Sequence, residues 1–336
     1  MPDDMPRTQP PPLSRHAARE RRQNWPWMAA AAMLGGMALA TRIAAWRAER
    51  RSPPAGRFVT VDGVRLHYVE RGAGRALIML HGMGSLLQDF TSSVVDALAH
   101  DYRVVVFDRP GYGYSTRPRR RAWTPQDQAR LIHMAATRLG LERPIVLGHS
   151  WGALVALAYA LAYPYQTAAI VLLGGYLFPL PRRDLAMMGI LRVPLLAPLL
   201  RATLAPAIAR LVMPRLLRSV IFAPNPIPIR FRQEFPLELT YRSSQLRAAS
   251  EEALMIRSAA AVLSRHYAGL RVPVIILAGV ADRVVAPHAQ SGRFYRTAPN
   301  AAIRLLPRTG HMIHHARPDA VCEAVDIARE EAEAAS

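Results

Sequence analysis

The stretch "PIVLGHSWGALVALAYA" (residues 144–160) decides how the rest of the chain is read. An apolar run ends at Gly148, a single serine stands between Gly148 and Gly152, and an alanine-rich segment follows. A short run of β-branched and apolar residues stopped by glycine reads as a buried strand, and "ALVALAYA" reads as a helix. Strand, tight turn and helix form the context that gives a G-x-S-x-G pattern chemical meaning. Serine is a weak nucleophile at its own pKa and needs a base and fixed donors for the oxyanion. Gly148 and Gly152 allow a sharp elbow with Ser150 at its apex. The Trp151 N–H, at the start of the following helix, then faces the charge that develops.

The missing partners are sought at other strand ends, in the chain order Ser, acid, His. "GVADRVVAP" (279–287) places Asp282 just past an apolar run, and "RTGHMIHHARP" (308–318) places His311 just past another. His311 would take the Ser150 proton and return it to the leaving group, and Asp282 would hold the imidazole tautomer. A second oxyanion donor is expected from "LHGMG" (80–84), with Met83 N–H as the candidate and Gly82 as the alternative. Asp108 in "FDRPGYGYS" (107–115) is expected to fix its loop through local hydrogen bonds. His314 and His315 are expected to be structural.

Around these sites the chain alternates. "RFVTVDGVRLHYVERG" (57–72) is a hairpin about Asp62-Gly63, because both turn positions favour positive φ. Strands follow at 76–82, 102–111, 144–148, 167–175, 272–280 and 301–307. Helices are expected at 85–99, 125–140 (capped by Thr124), 151–163 and about 318–334. Residues 176–265 break the alternation. They carry Pro194, Pro198, Pro206 and Pro214, which limit helices to short pieces, and seven arginines between Arg182 and Arg218 against one acid, Asp184. They read as a helical cap inserted into a core of 57–175 and 266–335.

The first residues are distinct. Residues 1–24 are basic and proline-bearing and read as disordered. Residues 25–46 are mostly apolar and uncharged but for Arg42, with Trp25, Trp27 and Trp46 near the ends. They read as a signal anchor placing the catalytic domain outside the cytoplasm, with a cleaved signal or a soluble helix as alternatives. Residues 47–56 read as a linker.

All 43 basic residues among the 336 are arginine, against 24 acids, for a net charge of +19. This favours an anionic membrane surface as a partner over nucleic acid, because no zinc-finger spacing or stacking motif accompanies it. Cys322 is the single cysteine, which excludes an internal disulfide. No phosphate-binding glycine loop or convincing ligand cluster points to a cofactor or metal.

Taken together, "HGMG", "FDRPGYGYS", "GHSWG", "GVADRVV" and "GHMIHH", in this order and spacing, resemble the α/β-hydrolase superfamily over residues 57–335. The resemblance implies an α/β fold with an eight-stranded, mostly parallel sheet, helices on both faces, a cap after the sixth strand, and Ser150, Asp282 and His311 as the triad. The chain is similar to the lineage of epoxide hydrolases and haloalkane dehalogenases, which use an aspartate where Ser150 stands. The expected activity is therefore hydrolysis of an apolar carboxylic ester through an acyl-enzyme. Carbon–carbon bond hydrolysis, perhydrolysis and a catalytically silent binding module are the alternatives.

Overall fold

A computed structural model of the chain describes residues 13–119, 121, 123–181, 193 and 196–335. Its centre is an eight-stranded sheet: β1 Arg57–Val61, β2 Val64–Arg71, β3 Arg75–Leu80, β4 Tyr102–Phe107, β5 Ile145–His149, β6 Ala169–Leu173, β7 Val274–Gly279 and β8 Ala301–Leu306. The spatial order is β1-β2-β4-β3-β5-β6-β7-β8. β2 pairs antiparallel with β1 and β4, and every pair from β4 onward is parallel. The hairpin turns at Asp62 (φ 48°) and Gly63 (φ 71°), as its dipeptide requires.

Strands β5, β6 and β7 are buried along their whole length. This is why they read as unbroken apolar runs: helices cover both faces. Helices Pro125–Arg138 and Trp151–Ala162 pack on one face, and Pro318–Ala334 with two short helices packs on the other. Thr124 and Asp127 close a reciprocal capping box at the start of Pro125–Arg138.

Three expectations need correction. The helix expected at 85–99 is two short ones, Gln88–Thr91 and Val95–Leu98. The Ser92 and Ser93 hydroxyls donate back to the Gln88 and Asp89 carbonyls, a local alternative that helps end the first helix. Pro214 does not stop its helix: Leu204–Leu216 runs through it into a π turn, Leu217–Ile221.

The N-terminal reading also changes. One helix spans Leu13–Arg51, so neither 13–24 nor 47–51 is irregular. Alanine and arginine are strong helix formers, and composition alone hid this. The last turn is docked, not linking. Ala48 is buried beside Phe222 and Phe235, and Arg242 donates to the Glu49 carboxylate at 2.8 Å. Residues 1–12, 182–192, 194 and 195, including Arg182, Arg183, Asp184, Arg192 and Pro194, lie outside the described residues.

Between β6 and β7 the described chain is helical: Leu196–Ala202, Leu204–Leu216, Ile229–Glu234, Leu237–Thr240 and Ser243–Ser264. Because β3 to β8 are parallel, their C-terminal ends gather along one edge, where open α/β sheets form ligand crevices. The loops carrying Gly82, Asp108, Ser150, Asp282 and His311 all leave from that edge. A pocket of about 500 Å³ lined by Arg271, Asn300 and Glu331 lies at the opposite edge, at the start of β7 and β8.

Candidate active site

Ser150 follows β5 directly and precedes the helix Trp151–Ala162. Its backbone sits at φ 55°, ψ −115°, a region that costs a non-glycine residue about 1–3 kcal/mol. The surroundings hold it there: the Ser150 N–H donates to the Leu173 carbonyl at 2.9 Å. Both flanking glycines are required by close approach. A Cβ on Gly148 would lie 2.3 Å from the Gly152 carbonyl oxygen, and one on Gly152 would lie 2.1 Å from the Leu80 carbonyl oxygen. Gly152→Ala is therefore expected to push the elbow helix off β3 and destabilise the protein by at least about 3 kcal/mol. A thermal scan of the purified variant checks this, and an unchanged midpoint would contradict the close contact.

Asp282 and His311 leave the ends of β7 and β8 and meet. His311 Nδ1–H donates to Asp282 Oδ2 at 2.8 Å. The other carboxylate oxygen, Oδ1, accepts the Val284 and Val285 N–H groups at 2.7 and 2.9 Å, which fixes its plane. A Cβ on Gly174, at the end of β6, would touch both His311 and Asp282, so the pair is seated against bare backbone. His311 is anchored to the elbow: His149 Nε2–H donates to its carbonyl at 3.1 Å, and the two rings lie 4.7 Å apart. The Ser150 hydroxyl makes no hydrogen bond among the described residues.

The "LHGMG" loop after β3 closes the other side. A Cβ on Gly82 would lie 3.2 Å from Ser150 Cβ, so its α-carbon faces the elbow. The Gly82 carbonyl points elsewhere, accepting from Arg109 at 3.0 Å and from His81 Nδ1–H at 2.8 Å. The Gly82–Met83 peptide is trans, so the Met83 N–H points away from those donors.

Of the buried polar groups beneath the site, sequence reading singled out Asp108, His314 and His315 but missed His81 and Asp89. Burial, aided by Arg109, lowers the His81 pKa to about 4, so this ring is neutral. Asp89 is fully buried and accepts from Ser85 at 2.9 Å and His315 at 3.0 Å, with His314 Nε2 at 3.1 Å. Burial pushes the Asp89 carboxyl up, but His314 and His315 outweigh it and hold it well below the ordinary range. Asp89, His314 and His315 are the donor group among the described residues with a spacing that could hold a metal ion. Asp108 accepts from the Leu87 and Tyr114 N–H groups at 2.9 and 3.1 Å and from His67 at 2.6 Å, which ties its own loop and the loop after β3 to strand β2, a longer reach than the local bonds expected of it. No local periodicity signals these pairs. The one available hint was a histidine-rich segment close behind His311.

Residues 77–324 match the model of the alpha/beta hydrolase family. The chain belongs to the alpha/beta hydrolase family. It is 26% identical over 273 residues to haloalkane dehalogenase 2 of Mycobacterium tuberculosis, covering 78% of this chain and 90% of that one. It is 36% identical over 116 residues to a 2-hydroxy-6-oxononadienedioate/2-hydroxy-6-oxononatrienedioate hydrolase of Paraburkholderia phymatum, covering 33% and 40%. The structure of a membrane phospholipase A described as a bacterial virulence factor superposes with a TM-score of 0.65 at 21% identity, covering 96% of each chain. This alpha/beta hydrolase is a hydrolytic enzyme, and its relatives spread over several substrate classes.

Proposed function

We propose that this hydrolase cleaves carboxylic esters of apolar, lipid-like acyl groups through Ser150, His311 and Asp282. The observation that carries the reading is the gathering of four strand ends at one edge of the sheet: β5 with Ser150 on its strained elbow, β7 and β8 with the 2.8 Å His311–Asp282 pair, and β3 with Gly82 against Ser150. In this mechanism His311 Nε2 takes the Ser150 proton as the oxygen attacks the ester carbonyl. The Met83 and Trp151 N–H groups receive the oxyanion, helped by the dipole of the elbow helix. Protonated His311, held by Asp282, then protonates the departing alcohol. Water repeats the sequence to release the acid. The elbow carries a hydroxyl and not a carboxylate, so displacement of halide by a carboxylate nucleophile is not proposed.

The apolar substrate is supported by the insertion between β6 and β7. Helix Leu204–Leu216 exposes Leu204, Ile208, Leu211 and Val212, an i, i+4, i+7, i+8 stripe that is left uncovered among the described residues. A membrane location is supported by the N-terminal helix. Its segment Trp27–Arg51 is long and apolar enough to cross a bilayer, and its most apolar 18-residue stretch has no buried residue. A retained anchor with the hydrolase outside the cytoplasm is the preferred arrangement, and a cleaved signal is the alternative. The likeness to the membrane phospholipase A extends over this helix as well.

Labelling the full-length protein with a fluorophosphonate probe in fractionated cells tests nucleophile and location together. A labelled band of full length in the membrane fraction is expected. A labelled band in the soluble or secreted fraction would remove the anchor, and no labelling would remove the serine mechanism. Carbon–carbon bond hydrolysis would use the same residues and is favoured by the match to the oxononadienedioate hydrolase. A panel of acyl esters beside a vinylogous diketone separates the two, with esters expected to turn over faster.

A further inference from the structure

Arg109, two residues past the end of β4, is completely buried. A guanidinium has five N–H donors in a rigid fork, and here all five are engaged. Nε donates to the His81 carbonyl at 2.7 Å and one terminal nitrogen to the Gly82 carbonyl at 3.0 Å. The fork also grips both oxygens of Glu252, at 2.6 and 3.1 Å, and reaches the Gln128 side-chain oxygen at 2.9 Å. The Arg109 backbone N–H donates to His81 Nε2 at 3.0 Å, which leaves the proton on Nδ1 for the Gly82 carbonyl. The peptide that carries the Met83 N–H is therefore held at its oxygen by two donors, both organised by Arg109.

Glu252 comes from elsewhere. It lies on helix Ser243–Ser264, in the insertion between β6 and β7, and is completely buried. The Tyr112 hydroxyl and the Gln128 amide also donate to it, at 2.7 and 3.0 Å. Burial pushes its carboxyl up, but Arg109, Arg117 and Tyr112 outweigh burial and keep it below the ordinary glutamate range. A buried ion pair is weak evidence for stability, since two hydrophobic residues would serve a core as well. This pair differs in where its remaining donors point: toward the two carbonyls of the loop facing Ser150.

We infer that Glu252 and Arg109 are positioning residues that couple the inserted helix to the oxyanion donor, so that Met83 N–H is aimed only while that helix is seated. The inference rests on the serine-ester reading above. A displaced helix would withdraw the carboxylate, free the guanidinium to turn, and let the Gly82–Met83 peptide rotate. A donor misplaced by about 1 Å forfeits much of its effect on the transition state while ground-state binding persists.

The test uses full-length enzyme and a medium-chain nitrophenyl ester, with kcat expressed per site titrated by fluorophosphonate. Glu252→Gln keeps shape and removes the charge. Arg109→Lys keeps charge and removes the fork. Each is expected to lower kcat by about tenfold to a hundredfold with KM within about threefold. Affinity for a trifluoromethyl ketone, whose serine adduct bears an oxyanion, should fall in parallel with kcat/KM. Tyr112→Phe removes one donor to Glu252 and should give about a threefold loss in both readouts, even if the charge variants fail to fold. A purely structural role would lower the titrated fraction and the melting temperature but leave kcat per site and ketone affinity intact. That pattern in every folded variant would overturn the inference. A native enzyme that fails to hydrolyse the ester or react with the probe would instead overturn the functional reading itself.

Discussion

Ser150→Ala is expected to lower ester turnover by about 10⁴-fold or more and to abolish fluorophosphonate labelling. The loss should fall on kcat, because the hydroxyl supplies the bond-forming atom and not a binding contact. Stability should change little, within about 1 kcal/mol, for a structural reason. The Ser150 hydroxyl makes no hydrogen bond among the described residues, so its removal orphans no partner. The strained backbone at φ 55° is retained with alanine, since the strain belongs to the elbow and not to the side chain. Steady-state kinetics with a thermal scan checks both halves. Turnover that persists in a folded Ser150→Ala protein would place the chemistry elsewhere.

Asp282→Asn is expected to lower kcat by about 10³- to 10⁴-fold with KM little changed. Asp282 Oδ1 is committed to the Val284 and Val285 N–H groups, so an asparagine would keep its oxygen there. Its amide nitrogen would then face His311 Nδ1, where Asp282 Oδ2 now accepts at 2.8 Å. Two donors cannot share that contact. His311 would adopt the tautomer with its proton on Nε2, which cannot accept from Ser150. Probe-titrated kinetics checks this, and a kcat within about tenfold of native would mean that Asp282 does not orient the base.

Much of this was legible before any coordinates. Strand positions showed as apolar runs because β5, β6 and β7 are buried on both faces and leave no polar alternation. Ser150, Asp282 and His311 stood out because each ends such a run, and parallel strands bring their ends to one edge. The helix break near Ser92 was hidden, because hydroxyls donating to nearby carbonyls leave the apolar pattern intact. So was the docking of the N-terminal helix, which depends on Arg242 reaching Glu49 from 193 residues away.

The sequence by itself determined the fold family, the elbow and the chain order of the proposed triad residues, because these follow from local periodicity, turn chemistry and strand direction. Tertiary structure alone decided which way the Gly82–Met83 peptide faces. That orientation depends on Arg109 and on Glu252, which lies 143 residues further along on another element. A buried charge declares its type in the sequence but not its partner, and the partner is set by how distant elements cross.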